Sequence, residues 1–291
     1  MNRKIVSTIA AGILLFAISC KDDDNGVKIS AEQSAAVQDA STSDAYFNDA
    51  SDMSTTAVAK PENDQFSGGR TNGVISLTIT GDTRFTGAQV TLVSSGNVIT
   101  PQGTIVIDFG TGQTDGAGTV RKGIINIVYH GWRFVKDSYY VISFANYSIN
   151  GVKVEGVRTV TTTTVSASSV TFNVNDAGGK LTFTDGTTAT RESVHTRTWA
   201  KGTTSLTGQW QVEGTAGGTT RDGKTYVFVT SRALVFKVQC TLSKIYIASE
   251  GEGVFTVDNI PVTLNYGATG AACDNVVTVT IAGSSQDITI N

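Results

Sequence analysis

The chain has 291 residues, 40% of them hydrophobic, and a formal net charge of −3, a size that suits one large domain or two small ones. Residues 20–64 hold ten acids against three bases, while residues 65–291 hold seventeen bases against fifteen acids. The acidity therefore belongs to the leader, and the near-balanced body excludes a basic nucleic-acid stripe.

From the N-terminus, Arg3 and Lys4 precede an apolar stretch over residues 5–18. That stretch is too short to span a bilayer, which takes about 20 apolar residues. A charged start, an apolar middle and the small Ser19 before a cut have the layout of a secretory signal, so residues 1–19 read as a signal peptide. Its removal from the 291 residues leaves 272. An ordinary signal peptide with a cysteine near the cut is the plainer reading of the same residues.

Ala17-Ile18-Ser19-Cys20 resembles the lipobox of bacterial lipoproteins, with Ala17 where Leu is usual. The resemblance implies that Cys20 receives a diacylglycerol thioether and becomes the mature N-terminus. A multi-chain anchor holds because each buried CH₂ contributes ~0.8 kcal/mol, whereas one chain binds only marginally. Lys21 and Asp22, Asp23 and Asp24 follow at once. That run resembles the export signal of surface lipoproteins in Bacteroidetes-type bacteria. It implies an outer-membrane protein, lipid-anchored, facing the cell exterior.

Residues 20–29 then form a flexible acidic tether. Ser30 and Gln33 make a capping-box pattern. Ala35, Ala36, Ala40, Tyr46, Phe47 and Met53 form a thin apolar stripe, which predicts a broken helix within residues 30–58. Residues 61–70 read as polar linker, so 30–66 is a partly helical segment and linker.

Beyond Gly73 the period changes to two. Segments such as GTIVIDF, KGIINIVY, SYYVISFANY, SVTFNV, GKLTF and NVVTVTIAG read as strands. Glycine is abundant at 31 and proline scarce at three, which favours strands joined by glycine turns. Asn150-Gly151 suits a type I′ hairpin, in which both central residues take positive φ. Asp185-Gly186 and Asp222-Gly223 read as the same device, and residues 177–179 as a looser turn. Tight turns imply antiparallel neighbours. Two stretches echo each other: Phe109-Gly110 leads to Thr114-Asp115, and Tyr266-Gly267 leads to Cys273-Asp274. Duplication and two independent hairpins both explain this. These aromatic-Gly loops and the closing GAACDNVVTVTIAGSSQDITIN resemble an uncharacterised group of β-rich surface lipoproteins from the same bacteria, a likeness that carries no activity. With Cys20 taken by lipid, Cys240 and Cys273 are left as an even pair in an oxidising compartment. A disulfide is the default there, and two buried thiols are the alternative.

Few motifs point to chemistry. Residues 218–225 fit a phosphate-loop pattern, but the strand-like YVFVTS follows where a helix is needed, so a hairpin with Asp222-Gly223 at its tip is expected. His130 and His195 are the two histidines, and no nucleophile motif accompanies them. Glu155, Glu192 and Glu213 lie in strands, where a carboxylate pair could hydrolyse a glycoside only if brought about 5–9 Å apart. In TRESVHTRTWAKG, period two puts Arg191, Ser193, His195, Arg197 and Trp199 on one face. That face could stack a sugar and bind its hydroxyls or hold an anionic polymer, or it is a solvated sheet face. YHGWRF, residues 129–134, repeats the combination of His, Trp and Arg.

The expected fold is an all-β antiparallel meander over residues 70–291, in one body or two similar halves. It is packed as a sandwich or an extended curved sheet, with a short helical N-terminal segment. Two-layer packing is favoured because runs such as INIV and YYVISF are apolar enough for strands covered on both sides. The expected function is a lipid-anchored surface protein with a binding or structural role toward a glycan or a protein. The candidate binding face is Arg191, His195, Arg197 and Trp199. No cofactor, metal, nucleotide or nucleic acid is expected. The alternative is a surface-tethered hydrolase acting on glycans.

Overall fold

The computed structural model describes residues 30–63, 73–96, 99–204, 207–242, 245 and 247–289. The signal peptide, Cys20 and the tether lie outside the described residues.

Helix α1 (Ala31–Asn63) comes first. The strands follow as β1 (Val74–Ser76), β2 (Gln89–Gly96), β3 (Pro101–Asp108), β4 (Gln113–Thr114), β5 (Val120–His130), β6 (Tyr139–Ile149), β7 (Val152–Val165) and β8 (Ser169–Thr182). Next are β9 (Thr188–Ala200), β10 (Gln209–Thr219) and β11 (Thr225–Lys237), then the short helix α2 (Val238–Leu242). The chain closes with β12 (Glu250–Val257), β13 (Ile260–Gly267), β14 (Val276–Ile281) and β15 (Ser284–Thr289). All fifteen strands belong to one antiparallel sheet in chain order, except that the two-residue β4 sits off the path against β5. The sheet is open, with β1 and β15 at its two edges.

The sandwich alternative is therefore not realised. The second layer is α1, not another sheet. Strands such as β5 bury one face only: Ile125 and Ile127 are fully enclosed, whereas Val128, the next residue along, is 51% exposed. Val157 and Val194 are likewise open on the face away from the helix. Valine and isoleucine on that face reflect strand propensity rather than burial.

The turns show which sequence signals were specific. Asn150 (φ 50°) and Gly151 (φ 83°) join β6 to β7 as expected of a type I′ turn. Asp258-Asn259 and Ala282-Gly283 do the same job with both residues at positive φ, without the usual Asn-Gly signature. At Asp185-Gly186 and Asp222-Gly223 only the glycine is left-handed. There the loop is closed one residue further out, by Phe183 N–H to Thr187 C=O and by Thr220 N–H to Lys224 C=O. The phosphate-loop pattern is thus a plain hairpin between β10 and β11.

Residues 177–179 are not a turn. They form a bulge inside β8, which runs unbroken from Ser169 to Thr182 and shifts register against β9 between Asp176 and Gly179. Similar shifts occur at Gly123 in β5, next to Gly156 in β7 and Gly214 in β10. Bulges bend and twist strands, and the one at Gly179 lies beside Phe47 of α1. Gly156 and Gly178–Gly179 face each other so closely that a Cβ on Gly156 would stand 2.9 Å from the Gly179 Cα.

Ser30 Oγ accepts the Gln33 N–H at 3.1 Å and Gln33 Oε1 accepts the Ser30 N–H at 3.0 Å, the expected capping box. The helix is not broken, however, and it continues through Pro61 to Asn63. Pro61 lies in the last turn, where a missing N–H costs one helical bond. The buried side is built mainly from small residues: Ala36, Ser43, Ala50, Ser51, Ser54 and Ala57, with Phe47, Met53 and Val58 as anchors. Small side chains let the helix approach the sheet closely.

α1 touches strands from β12 to β5. That is seven strand spacings, roughly 34 Å at about 4.8 Å each. The stretch from Ala36 to Val58 rises about 33 Å, so the helix runs across the strands rather than along them. Phe47, Met53 and Val58 join a large core with Ile105, Ile107, Ile125, Ile127, Ile142 and Tyr147. Ala36 joins a second core with Phe255, Val262, Val277 and Ile281. The Cys240–Cys273 disulfide ties α2 to the β13–β14 loop, with Cα atoms 5.3 Å apart. The two echoing loops both join neighbouring strands but are anchored differently: Asp115 is buried against Arg121, whereas Asp274 is exposed and caps the Val276 N–H.

Candidate functional site

Alternation along β9 does place Arg191, Ser193, His195, Arg197 and Trp199 on one face. That face is the one α1 covers, and the helix crosses it only part way. Its two ends therefore have different fates.

At the covered end, arginines from alternate strands, β5, β7 and β9, meet the polar side of α1. Arg191 Nη2 lies 2.7 Å from Asp44, and Arg121 Nη2 lies 3.0 Å from Asp49, which Arg84 also approaches at 3.3 Å. Arg158 donates to the Phe47 carbonyl at 3.2 Å and to Asn48 Oδ1 at 3.0 Å. The same Arg158 forms a two-pronged pair with Asp176 of β8, and Ser193 Oγ donates to that carboxylate at 2.6 Å. The Arg158 and Asp176 side chains are 1% and 0% exposed. Burial would raise the Asp176 carboxyl, but the Arg158 hydrogen bonds and charge outweigh it and hold the group below the usual carboxylate range. Arg191 is thus a structural residue, buried under the helix, and not part of an open binding face.

His195 is half-buried, with Nδ1 3.4 Å from Ser193 Oγ. Burial, followed by the nearby Arg158 charge, pushes its pKa down to about 4. The ring is therefore neutral at pH 7 and brings no positive charge to an anion.

Arg197 and Trp199 are half-buried, and Arg197 lies near Asp52 of α1. Register places Phe172 of β8 opposite Arg197, and Trp210 of β10 opposite Trp199. The Arg197 guanidinium rests 4.8 Å from the Trp210 ring centre. Trp199 and Trp210 are 5.1 Å apart, Phe172 and Trp210 6.2 Å, and Phe134 and Phe172 6.4 Å. Phe134, 53% exposed, carries Arg133 over its own ring at 5.0 Å, and Arg133 also donates to the Thr55 carbonyl of α1 at 3.4 Å. The β5–β6 connection, which holds the last four residues of YHGWRF, thus brings Arg133 and Phe134 to the same patch. His130 does not join it and stacks on Tyr139 instead, at 5.4 Å. Arg197 makes no hydrogen bond or ion pair among the described residues.

The helix wall of this patch carries Asp52, open to solvent yet surrounded by protein. Burial raises its carboxyl, and Arg197 is the charge that most opposes the rise. The strand glutamates lie on the opposite face. Glu155 pairs with Lys153 at 2.7 Å, Glu192 accepts the Gly178 N–H at 2.7 Å, and Glu213 is exposed. No group of three or more His, Cys, Asp or Glu side chains suited to a metal occurs among the described residues.

Sequence reasoning found Arg197 and Trp199 but not Trp210, Phe172, Phe134 or Asp52. The β9–β10 hairpin register was the one signal that could have added Trp210. Compared with family models, curated proteins and solved structures, the chain matches none.

Proposed function

We propose that the chain is a lipid-anchored cell-surface protein, held in the outer membrane through Cys20 and facing outward, whose sheet binds a glycan or protein ligand without catalysis. The observation that carries the binding half is the partly exposed run of Trp199, Trp210, Phe172 and Phe134 beside Arg197, which makes no hydrogen bond or ion pair among the described residues. Aromatic faces with a polar handle are favoured at interfaces, since they offer large contact area at small entropic cost. A glycosidase reading is weaker. It needs two carboxylates flanking one bond, and Asp49, the acid next to Asp52 along the helix, is committed to Arg121 and Arg84.

The test is a glycan array with the chain carrying Cys20→Ala, alone and with Trp210→Ala. Binding that disappears in the second variant, with an unchanged thermal midpoint, is the expected result. Equal binding by both proteins would remove the patch from the function.

A further inference from the structure

We infer that the patch takes an acidic oligosaccharide, its sugar rings lying along the aromatic run and a sugar carboxylate seated on the Arg197 guanidinium. The inference rests on the binding reading above and gives it a ligand class.

The first ground is a contrast among arginines on one face. Arg121, Arg158 and Arg191 each form at least one ion pair or hydrogen bond with α1, and they also pair with Asp115 or Asp176 on the sheet side. Arg197 is half-buried on that face and makes neither among the described residues. The Arg197 guanidinium carbon stands 4.8 Å from the Trp210 ring centre, and none of its N–H groups is engaged by a hydrogen bond among the described residues. The guanidinium fork matches a carboxylate bidentately, which a neutral hydroxyl cannot do. His195 two residues away is neutral, so Arg197 is the charge that β9 offers there.

The second ground is shape. Phe134, Phe172 and Trp210 are consecutive neighbours at 6.4 and 6.2 Å, with an arginine over the ring at each end of the series. Three adjoining aromatic rings offer more apolar contact than a single ring would. Asp52, close to Arg197 but not paired with it, stands on the helix wall as an acceptor for hydroxyls.

The experiment follows tryptophan emission, because Trp199 and Trp210 are two of the three tryptophans in the chain. The chain carrying Cys20→Ala is titrated with a short oligogalacturonate, a neutral oligogalactose of equal length and a glutamate peptide of equal charge. The oligogalacturonate should bind about tenfold more tightly than the neutral sugar, the worth of one charge-assisted hydrogen-bonded contact, and should weaken as salt is added. Arg197→Gln should bring the acidic sugar down to the neutral level with little change in thermal midpoint, and Arg197→Lys should restore only part of the preference. Equal affinity for acidic and neutral sugars, or an undiminished preference in Arg197→Gln, overturns the inference and leaves sugar binding standing. A glutamate peptide that binds as well as the oligogalacturonate overturns the sugar assignment. No response to any probe overturns the inference, and an empty glycan array in addition would remove the binding reading.

Discussion

Replacing Arg158 with Met would remove one partner from the most deeply buried ion pair described. Asp176 would keep the Ser193 hydroxyl at 2.6 Å and the Arg191 Nε at 3.5 Å, but lose both bonds from Arg158. Asn48 and the Phe47 carbonyl would lose the guanidinium that ties α1 to β7. Breaking a buried pair from one side costs about 3–5 kcal/mol, because the remaining charge is left uncompensated. That is a large share of the 5–15 kcal/mol typical of a whole domain. The double replacement Arg158→Met with Asp176→Leu removes both charges and should return to within about 1 kcal/mol of the unaltered protein, since apolar pairs of similar volume are often neutral substitutes. Urea unfolding followed by circular dichroism measures both, provided the slopes with denaturant agree. The acid limb gives a second reading. The Asp176 carboxyl is held below its unfolded value of about 3.9, so its contribution is fully present above that pH and is lost as pH falls through the lower folded value. The double variant should show a flatter loss of stability in that acid range. A cost below about 1 kcal/mol for Arg158→Met, or a double variant as weak as the single one, would refute the reasoning.

Other outcomes follow from the same structure. Non-reduced mass spectrometry should find no free thiol at Cys240 or Cys273. Cys240→Ser with Cys273→Ser should cost about 4 kcal/mol in urea unfolding, the chain-entropy value for a sequence separation of 33. A chain beginning at residue 65 should aggregate or bind a hydrophobic dye, because it strips α1 from Ile105, Ile125 and Ile142; a monodisperse, cooperatively melting product would mean the helix is dispensable. Cys20→Ala should move the protein from membranes to the soluble fraction, and alanines at Asp22, Asp23 and Asp24 should leave it on membranes but hidden from external protease. Retention of the Cys20 variant in salt-washed membranes would end the anchor proposal.

Local rules carried a good part of the fold. Alternation over two residues and an Asn-Gly pair were enough for an antiparallel meander, and Ser30 with Gln33 marked the start of α1, because each of these effects acts within a few residues. What escaped was set by distance. Asp44 and Asp49 looked like part of an acidic leader, yet their partners Arg191 and Arg121 are strands away, and Asp49 and Arg121 are 72 residues apart. No local period records such a match. The weak apolar stripe of α1 also hid its burial, since alanine and serine pack tightly against a sheet without looking hydrophobic. Gly178–Gly179 resembled a turn because left-handed glycine serves turns and bulges alike. The aromatic patch was half legible: Trp199 and Arg197 share one strand, while Trp210 and Phe172 enter through register, which depends on loop lengths that residue types alone leave open.

Because α1 lies across the strands, a pull on the chain ahead of Ser30 meets the molecule in shear. A tug on an edge strand would unzip one ladder of bonds after another, each carrying the load alone. A tug along α1 is shared at once by Arg191, Arg158 and Arg121, gripping it from different points of the sheet, and by Arg84 from the turn between β1 and β2. Among the described residues, the first element is thus the one best built to bear mechanical load, and the last strand, β15, is the one a force could peel away.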